Sequence, residues 1–487
     1  MLDSETKESG NPLASLGTSA VCTPSDEHAR MPTGVDVRGV WQLSSMSLGI
    51  GIFAMPRAFY ELGVLQGSLC IIAMGFISNA SLQRLLDAAL KCEIVSYEGI
   101  AEHALGRAGK LTMAIITLVT TFIATLSYLS SAKELLVNMV AAFLVNVDPN
   151  DTSSGASVQI LSGTKDMVVL ALLVAVVIPR CLSRSIGDHA WISTTGVFAM
   201  CFSALVFVMA SIVEKASGCK THHCGQPPAL FSGDIPNGLK NVATLAMSFS
   251  MVFAVFPVLQ ERMVNGNGGQ AITSMRTTVR LSIFLSCCTY LLVGLSGVLT
   301  FGSATKSKAV ALSNLSLTNP LYQAVHLVVG VAATLLVAII SFPVIASLEL
   351  LFKPPDRARP WLVGFIGIII IVIDTYLPTK IAFALTGSLG LSLGAYIMPC
   401  VLFLRLESVS ASAQLPGGRC AGPRWHRLTS VVVVLFGCVL LFGSTPITVW
   451  GLLTDSGGSK SETTLQKLLC QSEVHQPLAN STIQRFL

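Results

Sequence analysis

Apolar residues in this chain gather into runs of about twenty, each bounded by a short polar stretch. Runs of about 20 apolar residues are long enough to cross bilayer hydrocarbon as helices. Strands of a membrane barrel would instead alternate polar and apolar positions, and these runs do not. Eleven spans can be drawn, at 41–60, 64–83, 111–132, 158–179, 190–213, 239–258, 281–302, 321–346, 361–377, 381–404 and 429–451. The pattern predicts an all-α integral membrane protein with an eleven-helix domain over 39–451. Residues 1–38 are polar, lack the charged-then-apolar layout of a signal peptide, and read as a disordered cytosolic tail. Residues 452–487 read as an extracytosolic C-terminal tail.

Two spans break their own pattern. The first reads SSMSLGIGIFAMP from Ser44 to Pro56, with three serines, a Gly-x-Gly pair and a proline inside an apolar run. Gly49 and Gly51 lower the cost of unwinding, and Pro56 cannot donate to the preceding turn. Taken alone, the same small residues serve tight helix packing equally well. The sixth span repeats the theme as MSFSMVFAVFP, Met247 to Pro257. Interrupted spans at corresponding places of two halves point to a transporter built from inverted repeats, with the broken backbone facing substrate.

Composition sharpens this picture. The chain has 487 residues, 52% hydrophobic and only 12% charged, against about 25% charged in a soluble domain. Its mean hydropathy is +0.69. With the N-terminus in the cytosol, 19 of the 31 lysines and arginines fall on the inner side, which sets that orientation and leaves the C-terminus outside. The sequons at Asn150, Asn314 and Asn480 all fall on the outer side, where glycosylation would occur. Cys219 and Cys224 share an outer loop, and the sequence leaves open whether they are bridged. The spacing of Cys219, His222, His223 and Cys224 matches no standard structural zinc pattern, so no metal or cofactor is expected. No basic run suggests nucleic acid, and no nucleotide loop suggests an enzyme.

Few ionisable residues lie near the spans. Asp374 reads as an outer-interface residue beside Tyr376, and Lys133 and Glu134 as snorkelling side chains. His326 reads as an interfacial imidazole or as a carrier of a coupling proton. With no acid at mid-depth, the binding pocket is expected to favour a neutral side chain.

Five motifs in order resemble the eukaryotic amino acid/auxin permease family, within the amino acid–polyamine–organocation superfamily. Gly49 to Phe59 (GIGIFAMPRAF) is similar to its first-helix pattern, and Ser96 to Ala101 with Leu105 to Arg107 to its loop after the second. Val255 to Glu261, Tyr290 to Gly302 and Thr386 to Gly390 are similar to segments of its sixth, seventh and tenth helices. Several protist amino acid transporters share this layout. The resemblance implies a leucine-transporter-like 5+5 inverted repeat plus an eleventh helix. It implies secondary active transport of amino acids by alternating access, with H+ or Na+ as coupling ion and the bilayer as the other partner. Substrate contacts carried over by position are Ser47, Leu48, Gly49, Ile50, Gly51 and Ile52 in the first helix, with Phe249, Ser250 and Phe253 in the sixth. The ion-coupling candidates are Ser45, where sodium-coupled relatives carry Asn, and Ser341, where they carry Thr. The missing amide favours proton symport. The alternatives are a polyamine or other organic-cation carrier and a nutrient-sensing receptor with a transporter fold. The expected location is a multi-pass protein of the plasma membrane, ahead of a vacuolar or lysosomal one.

Overall fold

A computed structural model describes residues 37–145, 164–181, 190–217, 225–263, 268–306, 310–315, 317, 319–353, 355–374, 377–413 and 424–458. Asn150, Asn480, Cys219, Cys224 and the sequence up to 36 and from 459 onward lie outside them. Among the described residues every regular element is a helix. Among the described residues eight helices are long and apolar enough to cross a bilayer, from Val64–Cys92 to Arg424–Leu453. The rest of the predicted spans hold helices that are interrupted or short, as in Thr164–Cys181 and Arg359–Asp374. Large apolar side chains such as Phe76, Phe284 and Leu205 are more than half exposed. On a soluble surface that would be a liability, but bilayer hydrocarbon solvates them.

Local chemistry explains where helices start and stop. Asp234 caps Ile235–Met247 by accepting from the Asn237 amide at 3.2 Å, and Asn319 caps Pro320–Phe352 by accepting from the Leu321 amide at 2.9 Å. Each cap is followed closely by a proline, whose missing N–H costs nothing in a first turn. Gly63 ends Met55–Leu62 at φ +92°, where an added Cβ would lie 2.7 Å from the Leu230 carbonyl oxygen. The third span is longer than its apolar core, running Tyr97–Val145 with a non-helical Gly106 inside.

The tenth span departs from the expectation of a plain helix. After Thr379–Leu385 the backbone widens to π-helical bonding over Thr386–Ile397 before Met398–Ala413 resumes. Its Gly387 packs directly on backbone, since a Cβ there would lie 1.8 Å from the Ala243 carbonyl oxygen. Tyr97 and Ser81 donate hydrogen bonds to the carbonyls of Gly394 and Ala395 in the same stretch. Extra hydrogen-bonding partners of this kind hold a widened helix open.

Asp374 has a partner that the sequence did not show. It is 6% exposed and pairs with Lys133, joining Arg359–Asp374 to Tyr97–Val145. Lys133 therefore does not simply snorkel, and Glu134 is hydrogen-bonded by the Ser313 hydroxyl at 3.5 Å. His326 is fully buried, with Nδ1 2.8 Å from the Tyr322 carbonyl oxygen one turn earlier.

The ion pair is asymmetric, because the Asp374 side chain is 1% exposed and that of Lys133 is 19%. Lys133→Met strands a buried carboxylate and should cost about 3–5 kcal/mol. Asp374→Asn leaves an ammonium that can reach toward solvent and should cost about half as much. Thermal melts of the purified variants in detergent check the order; equal losses would contradict the asymmetry.

Candidate functional site

Both interrupted spans are broken where the serines and glycines stand. Helix Val37–Ser47 stops, Leu48 and Gly49 bend, and a 3-10 turn over Ile50–Ala54 leads into Met55–Leu62. Gly49 is extended, at φ −95° and ψ −160°. In the sixth span Ile235–Met247 ends, Ser248–Met251 form turns, and Val252–Met263 resumes. Packing against the partner break explains why the chain adopts this costly backbone.

The freed carbonyls find donors from elsewhere in the chain. Ser250 Oγ donates to the Met46 carbonyl oxygen at 3.0 Å, tying the second break to the first. Tyr290, on helix Gly268–Phe301, places its hydroxyl 2.6 Å from both the Ser47 and the Ser248 carbonyl oxygens. Phe249 meets the Tyr290 ring edge to face, with centroids 5.5 Å apart. Tyr128, on helix Tyr97–Val145, presses its hydroxyl onto Gly49, where an added Cβ would lie 1.8 Å from Oη. The hydroxyls of Ser44 and Ser248 are buried and make no hydrogen bond. Uncommitted buried polar groups cost free energy, so their concentration at one crossing marks a place built to meet something polar.

A cavity of about 560 Å³ leads toward the second break. Glu98, Glu102, Lys110, Thr117 and Gln260 stand among its polar lining, and Val252, Phe253 and Phe256 among its apolar lining. Phe253 packs on Gly394, where a Cβ would meet its ring at 2.6 Å, and Tyr97 lies beside it with centroids 6.5 Å apart. Of the predicted substrate contacts only Phe253 lines this cavity. Ser47, Leu48, Gly49, Ile50, Gly51, Ile52 and Phe249 are buried, and Ser250 is half-buried.

The ion-coupling candidates have local partners. Ser45 Oγ donates to the Gln42 carbonyl oxygen at 2.7 Å and accepts from Ser193 Oγ at 2.6 Å. Ser341 Oγ donates to the Val337 carbonyl oxygen at 2.7 Å. Asn314 lies buried in a 3-10 turn over Ala311–Asn314, and its Nδ2 makes no hydrogen bond. Among the described residues no group of His, Cys, Asp or Glu could hold a metal ion. Sequence reasoning missed Tyr128 altogether, and it quoted Tyr290 only as the start of a family-like motif, without a role at the breaks. The only available signal was a tyrosine at mid-span, since a buried hydroxyl needs a partner.

On the far side of the breaks, Arg57 pairs with Glu61 at 3.0 Å, and Asn241 donates to the other Glu61 oxygen at 2.6 Å. That contact joins Met55–Leu62 to Ile235–Met247, and Lys306 stacks over Tyr60 at 5.0 Å beside it. Helices Met55–Leu62 and Ile235–Met247 of the two broken spans are thus tied together by polar contacts.

A family described as "Transmembrane amino acid transporter protein" matches residues 34–450. The chain is 23% identical over 389 residues to "Amino acid transporter AVT6D" of Arabidopsis thaliana, covering 75% of this chain and 84% of that protein. It is 24% identical over 415 residues to "Amino acid transporter AVT6C" of the same plant, covering 80% and 89%.

The two glycines of the first break should respond differently to one methyl group. Gly49→Ala drives a Cβ into Tyr128 and should cost about 1–3 kcal/mol by overpacking. Gly51→Ala has open space, its nearest neighbour being Ser248 Oγ at 3.7 Å, and should change stability little. Melting temperatures of the two purified variants decide this; equal destabilisation would contradict the close approach of Tyr128.

Proposed function

As the chain belongs to the transmembrane amino acid transporter family, we propose that it is a secondary active, proton-coupled carrier of amino acids working by alternating access about its two broken helices. The observation that carries the reading is the pairing of the breaks, joined by Ser250 and Tyr290. The α-ammonium group is assigned to the carbonyls of Ser47 and Ser248, at the negative ends of two half-helices. The α-carboxylate is assigned to the amides of Ile50 and Gly51, because those of Gly49 and Ile52 already donate to the Ser47 and Gly49 carbonyl oxygens. Side-chain selection falls to Thr117, Val252, Phe253 and Phe256, none of them ionisable, which favours a neutral substrate.

The 5+5 inverted repeat, the eleventh helix and the N-terminus-inside orientation belong to the same proposal, and so does residence in the plasma membrane. In that orientation the cavity opens to the cytosol, and the Arg57–Glu61–Asn241 contacts close the outer side. Substrate release then runs past Phe253 and Tyr97 into the Glu98–Gln260 vestibule. Proton coupling is supported by Ser45 and Ser341, whose hydroxyls have protein partners.

Reconstituted protein should take up a labelled neutral amino acid, faster with an acid outside and indifferent to an imposed sodium gradient. Gly51→Leu should lower uptake at least about a hundredfold by filling the crossing, while the protein still inserts. Competition by putrescine with none by amino acids would replace this reading with an organic-cation carrier. Wild-type uptake by Gly51→Leu would remove the substrate from the first break.

A further inference from the structure

Four helices meet in one network of charges near the mouth of the cavity. Val64–Cys92 ends just before Ser96 and Tyr97, which line that cavity. On this helix Arg84 donates through Nη1 to Asp87 Oδ2 at 2.7 Å and to His426 Nδ1 at 2.5 Å. The other Asp87 oxygen takes Arg276 of Gly268–Phe301 at 2.5 Å. Glu407 of Met398–Ala413 is 3% exposed and pairs at 3.0 Å with Arg427, the residue after His426. His426 and Arg427 stand in the first turn of Arg424–Val439. Arg84 is buried and its guanidinium lies over the Phe403 ring at 5.2 Å, so the donor is held in place.

Of these groups only the imidazole changes charge close to neutral pH, at about 6.5 in an unperturbed histidine. A guanidinium can only donate, so Nδ1 is a bare acceptor and the single ring proton sits on Nε2. A proton on Nδ1 would remove the acceptor and set two cations against each other. Arg84 and Arg276 face the imidazole and oppose its charge, while Asp87 and Glu407 favour it. Both carboxylates are already engaged by arginines, and Lys91, over the Phe403 ring at 4.6 Å, adds a further positive charge.

The contact holds the start of Arg424–Val439, and that helix supports the cavity wall. Its Phe436 meets Tyr396 edge to face, with centroids 5.5 Å apart. Its Gly437 packs on the π-helical stretch, where a Cβ would lie 2.7 Å from Ile397 and 3.1 Å from the Ser392 carbonyl oxygen. The same stretch sets Gly394 against Phe253, which lines the cavity. His426 thus stands at the head of a packed line of residues that ends at the cavity.

We propose that His426 is a regulatory proton site: binding a proton there releases helix Arg424–Val439 from Arg84 and slows the carrier when the cytosol turns acid. What is slowed, and from which side, rests on the transport reading and its orientation, but the protonation can be tested without flux. The folded network needs a neutral imidazole, whereas the unfolded chain accepts the proton freely. Stability therefore falls as pH drops through the imidazole range. Carboxylates titrate near pH ~4, well below that range, so the response belongs to the histidine.

The test compares wild type, His426→Asn and Arg84→Gln at about pH 7.5 and about pH 5.5, on either side of the imidazole range. It reads thermal melting of the purified proteins and exchange of a labelled neutral amino acid by proteoliposomes with equal pH on both sides. Wild type should melt several degrees lower at the acid pH, and its exchange should fall about fivefold. His426→Asn offers Arg84 an acceptor oxygen that does not titrate, so its melting and exchange should differ little between the two pH values. Arg84→Gln removes the opposing cation and leaves Asp87 free to take the imidazolium, so its acid loss should shrink. Three outcomes overturn the proposal: no acid loss in wild type, an equal acid loss in His426→Asn, or an unchanged acid loss in Arg84→Gln. Failure of the wild type to exchange any amino acid would sink the transport reading alone, because the melting series still decides the role of His426.

Discussion

Bilayer hydrocarbon offers no water to a backbone carbonyl, so every break in a membrane helix must be answered by another part of the protein. In this chain two breaks answer each other. Met46 loses its helical partner and receives the Ser250 hydroxyl; Ser47 and Ser248 lose theirs and share the Tyr290 hydroxyl. Each answer is a long-range contact, so the two spans can be broken only when held at this crossing. The fold and the candidate site are in that sense one problem with one solution.

Much of the remaining architecture serves to hold that crossing. Phe53, Phe207 and Phe301 stack in sequence, with centroids 5.9 Å and 6.0 Å apart, and fix the first break against Ala190–Ala216 and Gly268–Phe301. Pairs of this kind contribute about 1 kcal/mol each beyond their burial. Lys133 and Asp374 lock helix Tyr97–Val145, which carries Tyr128, to Arg359–Asp374. The π-helical stretch Thr386–Ile397 brings Gly394 against Phe253, at the wall of the cavity. A rigid frame and a cavity that stops at an aromatic side chain are what alternating access requires of one of its conformations.

The breaks were legible in the sequence because their causes are local. Glycine, serine and proline act within a few residues, and two such clusters in apolar runs are visible without a structure. The spans were legible for the same reason. Their partners were not: Tyr290 stands 243 residues from Ser47, and nothing near it marks it as a donor to that carbonyl. Asp374 looked interfacial because it closes its helix beside a tyrosine, and only the fold brings Lys133 to it. The π-helical stretch was hidden because its cause, close approach of Gly387 to the Ala243 backbone, is a tertiary contact.

The central claim is that an amino acid is held between the two breaks, and the most direct measurement is a structure of the protein with a transported amino acid bound. The account predicts the amino nitrogen within hydrogen-bond distance of the Ser47 and Ser248 carbonyl oxygens, with the carboxylate at the Ile50 and Gly51 amides. An amino acid seated instead among Glu98, Glu102 and Gln260, with both breaks packed as they are here, would contradict it.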